Sequence, residues 1–174
     1  MEAKDPNDDV KLRPFRTEDA ALLADLCNNE KIFKNLRDFF PSPYSLQDAH
    51  DFISHCQVHS PPLNMAIIYK DKLSGAIGLV TQTDVYSGSA EIGYWLGEPY
   101  WNKGIMTRAL QLMVEYAFNT LKLRRIFTGV YEYNTASMRV LEKAGFQKEG
   151  ISKKAIIKNG EVWDEHRFAI LAPE

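Results

Sequence analysis

The stretch AEIGYWLGEPYWNKGIMTRAL, residues 90–110, changes period partway along. Residues 90–96 read as a strand, the proline-containing turn that follows breaks it, and the polar Asn102, Lys103 and Gly104 open directly into a helix. That helix is predicted over residues 104–122, because Met106, Ala109, Leu110, Met113, Val114, Ala117, Phe118 and Leu121 recur at i, i+3, i+4 spacing. Upstream, LNMAIIYK at 63–70, a DKLSG turn and GAIGLVTQT at 75–83 read as a hairpin. Three strands in a row before the long helix argue against a doubly wound Rossmann sheet.

Toward the N-terminus, VKLRPFR at 10–16 alternates apolar and basic residues like a strand, and Thr17 is an expected N-cap for a helix over 18–28. A shorter helix from Asn29 or Glu30 to Leu36 follows. RDFFPSPY at 37–44 carries two prolines and is a loop, after which Ser45 caps a helix to about His59 with Asp48 in the capping-box position. Toward the C-terminus, residues 125–132 are apolar on both parities, as in a strand covered on both faces. Asn134 caps a helix to Ala144 with Gly145 at its stop, and Asn159-Gly160 splits 146–158 from 161–171 into a hairpin. The expected class is mixed α/β (α+β): a flexible N-terminus at 1–9 and one domain over 10–172.

The chain has 174 residues, 45% hydrophobic and 25% charged, enough for one globular core. A net charge of -2 provides no global field for gripping nucleic acid or acidic membranes, so any anion must be bound locally. No aliphatic run approaches the roughly 18 residues of a membrane span, and the acidic start lacks the apolar region of a secretory signal, which points to the cytoplasm. Cys27 and Cys56 are expected as reduced, buried thiols. His55 and His59 lie four apart beside Cys56 without a third ligand, so no metal is expected. Dinucleotide, Walker A, zincin and nucleophile-elbow motifs are all missing from the sequence.

Two segments carry chemistry. In GEPYWNKGIMTRAL, residues 97–110, a helix start exposes about four backbone N–H groups and the positive end of the dipole, which suits a phosphate. Gly104 allows close backbone approach, Thr107 offers a hydroxyl, and Lys103 and Arg108 add charge. The same residues also suit a plain strand-to-helix turn. In YEYNTASMRVLEKAGF, residues 131–146, a strand feeds an Asn-capped helix with Ser137 in its first turn.

With WNKGIMTRAL and the Asn-x-x-Ser-x-x-Val-Leu-Glu-Lys-x-Gly-Phe run in hand, the chain resembles the GCN5-related N-acetyltransferases (GNAT), within them the branch that acetylates ribosomal-protein N-termini and diverse small amines. The resemblance extends from LRPF through PSPYSLQDAHDFI and AEIGYWL to the terminal hairpin. It implies a single-domain GNAT fold: a mixed sheet of about six or seven strands, splayed between the fourth and fifth, with helices on both faces. In that family a Gln/Arg-x-x-Gly-x-Gly/Ala loop wraps the acetyl-CoA pyrophosphate with backbone amides. The matching window here is Trp101, Asn102, Lys103, Gly104, Ile105 and Met106, where the central glycine agrees and the first and last positions depart.

By the same resemblance, Leu96, the window with Thr107, Asn134 and Ser137 contact acetyl-CoA, the co-substrate, with no metal. A backbone N–H near Leu96 or Gly97 serves the oxyanion. The general-acid tyrosine of many relatives is Leu141 here, which passes the role to Ser137; Ser137 also reads as a first-turn serine bonding the helix backbone. Glu91 is the candidate base or a structural carboxylate, with Tyr94, Tyr131 and Tyr133 as further candidates. The acceptor pocket is expected between the 37–45 loop and the hairpin residues Trp163, Asp164 and Glu165, with Phe39 and Phe40 as core plugs or substrate contacts. The implied activity is transfer of acetyl from acetyl-CoA to a primary amine of a protein N-terminus or small molecule, directly through a ternary complex. A CoA-binding module with lost catalysis and an enzyme using another acyl-CoA stay open. Expected partners are an amine-bearing small molecule or peptide N-terminus, neither nucleic acid nor membrane, and the chain is a monomer or homodimer.

Overall fold

Seven strands join in one sheet in the order β1-β2-β3-β4-β5-β7-β6. They are β1 (Val10–Arg13), β2 (Asn64–Tyr69), β3 (Lys72–Thr81), β4 (Ser89–Leu96), β5 (Arg125–Tyr131), β6 (Gln147–Lys158) and β7 (Glu161–Leu171). The helices are α1 (Ala20–Cys27), α2 (Glu30–Phe33), α3 (Leu46–Gln57), α4 (Ile105–Asn119) and α5 (Thr135–Lys143). The computed structural model describes residues 9–173. Except for Asp9, the expected flexible terminus lies outside the described residues. This is the expected mixed α/β class and element order. β4 and β5 are parallel because α4 carries the chain back between them, whereas the β1–β2, β2–β3, β5–β7 and β6–β7 pairs are antiparallel. The chain divides into two compact units.

The first unit runs to Gly78 and includes Tyr94–Met113. In it α1 and α3 place Leu23, Ala24, Cys27, Ala49, Ile53 and Cys56 against Ala66, Ile68, Leu73 and Ala76 of β2 and β3. Four consecutive residues of β2 are buried, so that strand is covered on both faces. The Ser45–Asp48 capping box forms as read, with the Asp48 N–H donating to Ser45 Oγ at 3.1 Å. Three expectations need correction. β1 stops at Arg13, since Pro14 has no N–H for a ladder. Thr17 is no cap: it begins a 3-10 turn, Thr17–Asp19, and α1 starts at Ala20. The β2–β3 turn is two residues, Lys70 and Asp71, both at positive φ (48° and 61°), so β3 begins at Lys72, inside the expected DKLSG turn.

The second unit comprises Leu79–Gly93 and the chain from Val114 onward. The β6–β7 hairpin turns at Asn159 and Gly160, at φ 53° and 78°, as the sequence predicts. β5 is not covered equally on both faces. Ile126, Thr128 and Val130 are buried, while Arg125, Phe127, Gly129 and Tyr131 are half-buried. The Phe127 ring is covered by the guanidiniums of Arg125 and Arg167, at 5.8 and 5.7 Å, in place of a second apolar layer. The parallel ladder of β4 on β5 covers Ser89–Arg125 to Glu91–Phe127 and ends there.

Candidate active site

In the first unit, the end of β4 and the start of α4 are tied down by their own turn. Gly97 N–H donates to Ser74 O at 2.8 Å, and a Cβ on Gly75 would overlap the Trp95 carbonyl, so β4 ends hard against β3. The following 3-10 turn, Glu98–Tyr100, is anchored on α2. Its Glu98 carboxylate accepts from Lys31 Nζ and, at 2.7 Å, from Asn29 Nδ2, the side chain that also caps α2. These two donors, Lys31 first, hold the Glu98 carboxyl below the usual carboxylate range. The Trp101 indole N–H donates to Leu96 O at 2.6 Å, closing the loop back on the strand.

The loop that results presents backbone. Asn102 and Gly104 both adopt positive φ, 60° and 75°, and the residues Asn102, Lys103 and Gly104 are exposed. A Cβ on Gly104 would meet nothing within 4 Å, so the space above it is open to a ligand. Arg108 N–H donates to Gly104 O at 3.1 Å, which leaves the amides of Ile105, Met106 and Thr107 ahead of the helical ladder. Ile105 and Met106 point inward and are buried, Met106 to 8% exposure, so the family's missing small residue is accommodated by the core. The Lys103 ammonium bonds Pro99 O at 2.8 Å over the Tyr100 ring. Arg108 Nε is buried with no hydrogen-bond partner among the described residues. An orphaned guanidinium N–H and first-turn amides ahead of the ladder, both in the opening turn of α4, fit an anionic group.

The second unit holds Glu91, Asn134 and Ser137. Asn134 Oδ1 accepts from Ser137 N–H at 3.2 Å, which starts α5, while its own N–H turns back to Tyr131 O at 2.8 Å. Ser137 is half-buried in the first turn. Leu141, in the family's tyrosine position, is 0% exposed and belongs to the core. Glu91 is half-buried at the last position of the β4–β5 ladder, opposite Phe127. Leu96 and the residues 101–107 thus come together in one unit, and Glu91, Asn134 and Ser137 in the other.

The three hairpin residues grouped by sequence have separate fates. Asp164 accepts from Lys153 Nζ at 2.7 Å and Lys154 N–H at 2.8 Å, locking a bulge in β6. Glu165 pairs with Arg167 at 2.8 Å, and Trp163 stacks edge-on with Tyr133 at 4.9 Å. Phe39 is 82% exposed, whereas Phe40 packs on the core and stacks on Tyr44 at 5.0 Å. The close approach of the Glu165 carboxyl group to Gly129 was not anticipated from the sequence. The available signal was a glycine inside a strand, which marks a close approach. The His55 and His59 rings stand 5.6 Å apart, and no group of three metal-capable side chains occurs among the described residues.

Residues 9–147 match the acetyltransferase (GNAT) domain model. The chain belongs to the GNAT acetyltransferase family. This GNAT protein is 50% identical over 105 residues to the probable N-acetyltransferase YjcK of Bacillus subtilis, a match covering 60% of this chain and 58% of that one. It is 31% identical over 168 residues to the uncharacterized N-acetyltransferase p20 of Bacillus licheniformis, covering 95% and 94%. Among solved structures, it superposes on RimJ of Mycobacterium smegmatis in complex with CoA-disulfide at TM-score 0.83, with 25% identity over 94% of this chain and 82% of that one. The microcin C7 self-immunity acetyltransferase MccE, in complex with acetyl-CoA and AMP, aligns at TM-score 0.80 with 28% identity, covering 95% and 93%. The putative ribosomal N-acetyltransferase YdaF of Bacillus subtilis is 30% identical over 175 residues, covering 97% of this chain and 94% of that one, and the protein is an acyltransferase.

Proposed function

We propose that this GNAT protein is an acetyl-CoA-dependent N-acetyltransferase acting on a primary amine of a small molecule or a protein N-terminus. Acetyl transfer is direct, in a ternary complex, within one acetyltransferase domain over residues 10–172. The observation that carries the reading is the start of α4, with open space over Gly104, amides ahead of the helical ladder and the orphaned Arg108 Nε. MccE, on the same fold, is in complex with acetyl-CoA. Buried, reduced Cys27 and Cys56 support a cytoplasmic setting.

Acetyl-CoA supplies an activated thioester carbonyl. The amides of Asn102, Lys103, Gly104, Ile105, Met106 and Thr107 hold its pyrophosphate, with Trp101 fixing the loop from behind and Arg108 adding charge. Asn134 keeps its Oδ1 for the cap and has its Nδ2 for the cofactor arm. Because Gly97 N–H donates to Ser74, the oxyanion donor falls to the Leu96 amide. Ser137 provides the proton for the leaving thiolate, since Leu141 has none to give. Glu91 takes the proton of the amine, directly or through water.

Thiol release is measured with acetyl-CoA against amines and peptides, alongside calorimetry with CoA. The expected outcome is CoA binding with amine-dependent release. CoA binding without release for any acceptor would instead establish a CoA-binding module, the reading that Leu141 favours. Release with another acyl-CoA alone would overturn the donor assignment.

A further inference from the structure

Leu96, the last residue of β4, and Trp101, just ahead of the α4 loop, are joined by a side-chain bond inside the first unit. Leu96 stands opposite Gly75: a Cβ on Gly75 would lie 3.0 Å from Leu96 Cα, and the next residue, Gly97, donates its N–H to Ser74 O at 2.8 Å. Hydrogen-bonded and non-hydrogen-bonded positions alternate along an antiparallel pair, so Gly97 faces Ser74 while Leu96 turns its own N–H and C=O away from β3. On that side the C=O is met by the Trp101 indole N–H at 2.6 Å. The N–H is the amide proposed above for the oxyanion. The Leu96–Gly97 peptide is thus held from both sides, by Trp101 on its carbonyl and by Ser74 on its N–H.

Packing alone does not ask for an indole here. A phenylalanine ring would give much of the same half-buried cover, whereas the indole adds a donor aimed at main chain. Trp101 is also the residue from which the loop springs. Its N–H closes the 3-10 turn on Glu98 O at 3.2 Å, and Asn102 and Gly104, both at positive φ, follow directly. An anion held by the loop amides therefore restrains the backbone one residue away from the indole. We infer that Trp101 is a positioning residue that links the two ends of the site: when the pyrophosphate fills the loop, the indole is steadied on Leu96 O, and the Leu96 amide is fixed with it. Binding of the remote phosphates is then expressed at the transfer step, in kcat and not only in KM. This rests on the transferase reading above.

The test compares the wild type and Trp101→Phe with acetyl-CoA and with S-acetylpantetheine, which carries the thioester and lacks the pyrophosphate, toward the amine that the wild type turns over fastest. Folding is followed by thermal melting and CoA affinity by calorimetry. In the wild type, kcat at saturating S-acetylpantetheine is expected about tenfold below that with acetyl-CoA. Trp101→Phe should lower kcat with acetyl-CoA about tenfold, keep CoA affinity within about threefold, and change kcat with S-acetylpantetheine less than about twofold. A second readout needs no turnover. In proton–nitrogen correlation spectra of the wild type, the Trp101 indole N–H, assigned by elimination with Trp95→Phe and Trp163→Phe, should exchange with solvent about fivefold or more slowly with CoA bound, and pantetheine should not slow it. Equal kcat for the two donors in the wild type, equal losses on both donors in Trp101→Phe, or indole exchange indifferent to CoA overturns the assignment. A Trp101→Phe loss confined to CoA affinity overturns it too, leaving the indole a wall of the loop. A wild type that binds CoA and acetylates no amine overturns the transferase reading instead, and the indole exchange then decides the link by itself.

Discussion

Asn134 does two jobs with one amide, and its two ends separate them. Oδ1 accepts from Ser137 N–H to start α5, and Nδ2 is proposed for the cofactor. Asn134→Ala should lose about 1 kcal/mol of stability and weaken CoA binding, whereas Asn134→Asp keeps the cap and loses only the donor. Denaturant melts and calorimetry distinguish the two; intact CoA affinity in both variants would remove Asn134 from the site. Ser137→Ala should lower turnover about a hundredfold while CoA affinity stays within a few-fold, and unchanged turnover would sink its acid role. Gly104, Asn134 and Ser137 were legible because their backbone roles follow from neighbours in sequence. Glu165 was legible only as part of a hairpin wall with Asp164. Which carboxylate meets which cation depends on the β6 bulge, and the bulge depends on strand pairing.

At the scale of elements, the entry to α1 shows how a distant partner overrides a local signal. Thr17 has the better capping side chain by composition, yet Asp19 organises the turn, because Arg13 from β1 reaches it with two bonds of 2.7 and 2.8 Å and Arg16 N–H adds a third at 2.8 Å. Burial alone pushes the Asp19 carboxyl up, but the Arg13 bond, the Arg16 N–H and both positive charges together hold it below its ordinary value. A carboxyl lowered in the folded state stabilises above its unfolded pKa, and that contribution is lost as pH falls through the folded value. Asp19→Asn should therefore cost about 2 kcal/mol at pH 7 and flatten the acid limb of stability, read from urea midpoints between neutral and acidic pH. An unchanged limb would show that the pair contributes nothing. Periodicity placed α4 and the Asn159-Gly160 turn well, since 3.6-residue and hairpin signals are local. It overestimated the cover of β5, because the layer over Phe127 is made of arginine side chains that hydrophobic patterning does not count.

For the molecule as a whole, a net charge of -2 offers no global field for an anion, so the proposed cofactor site relies on the local amides and Arg108 at one helix start. Among the described residues no helix is long and apolar enough to cross a membrane. Both cysteines are free and buried, and burial pushes their thiols up to about 12. Alkylation by iodoacetamide at pH 8 should thus leave Cys27 and Cys56 unmodified in the folded protein and modify both in urea, as mass spectrometry would read. Labelling of either in the folded state would mean that the α1–α3 core opens locally. Element order, the α4 loop, the α5 cap and the GNAT resemblance all follow from residues near one another in the chain, where periodicity, capping and turn chemistry act. The face holding Glu165 over Gly129, the commitment of Asp164 to the bulge and the Gly97 bond to Ser74 came only with the tertiary structure. Each depends on how strands pair across the sheet, and no property of either partner alone specifies the register that brings them together.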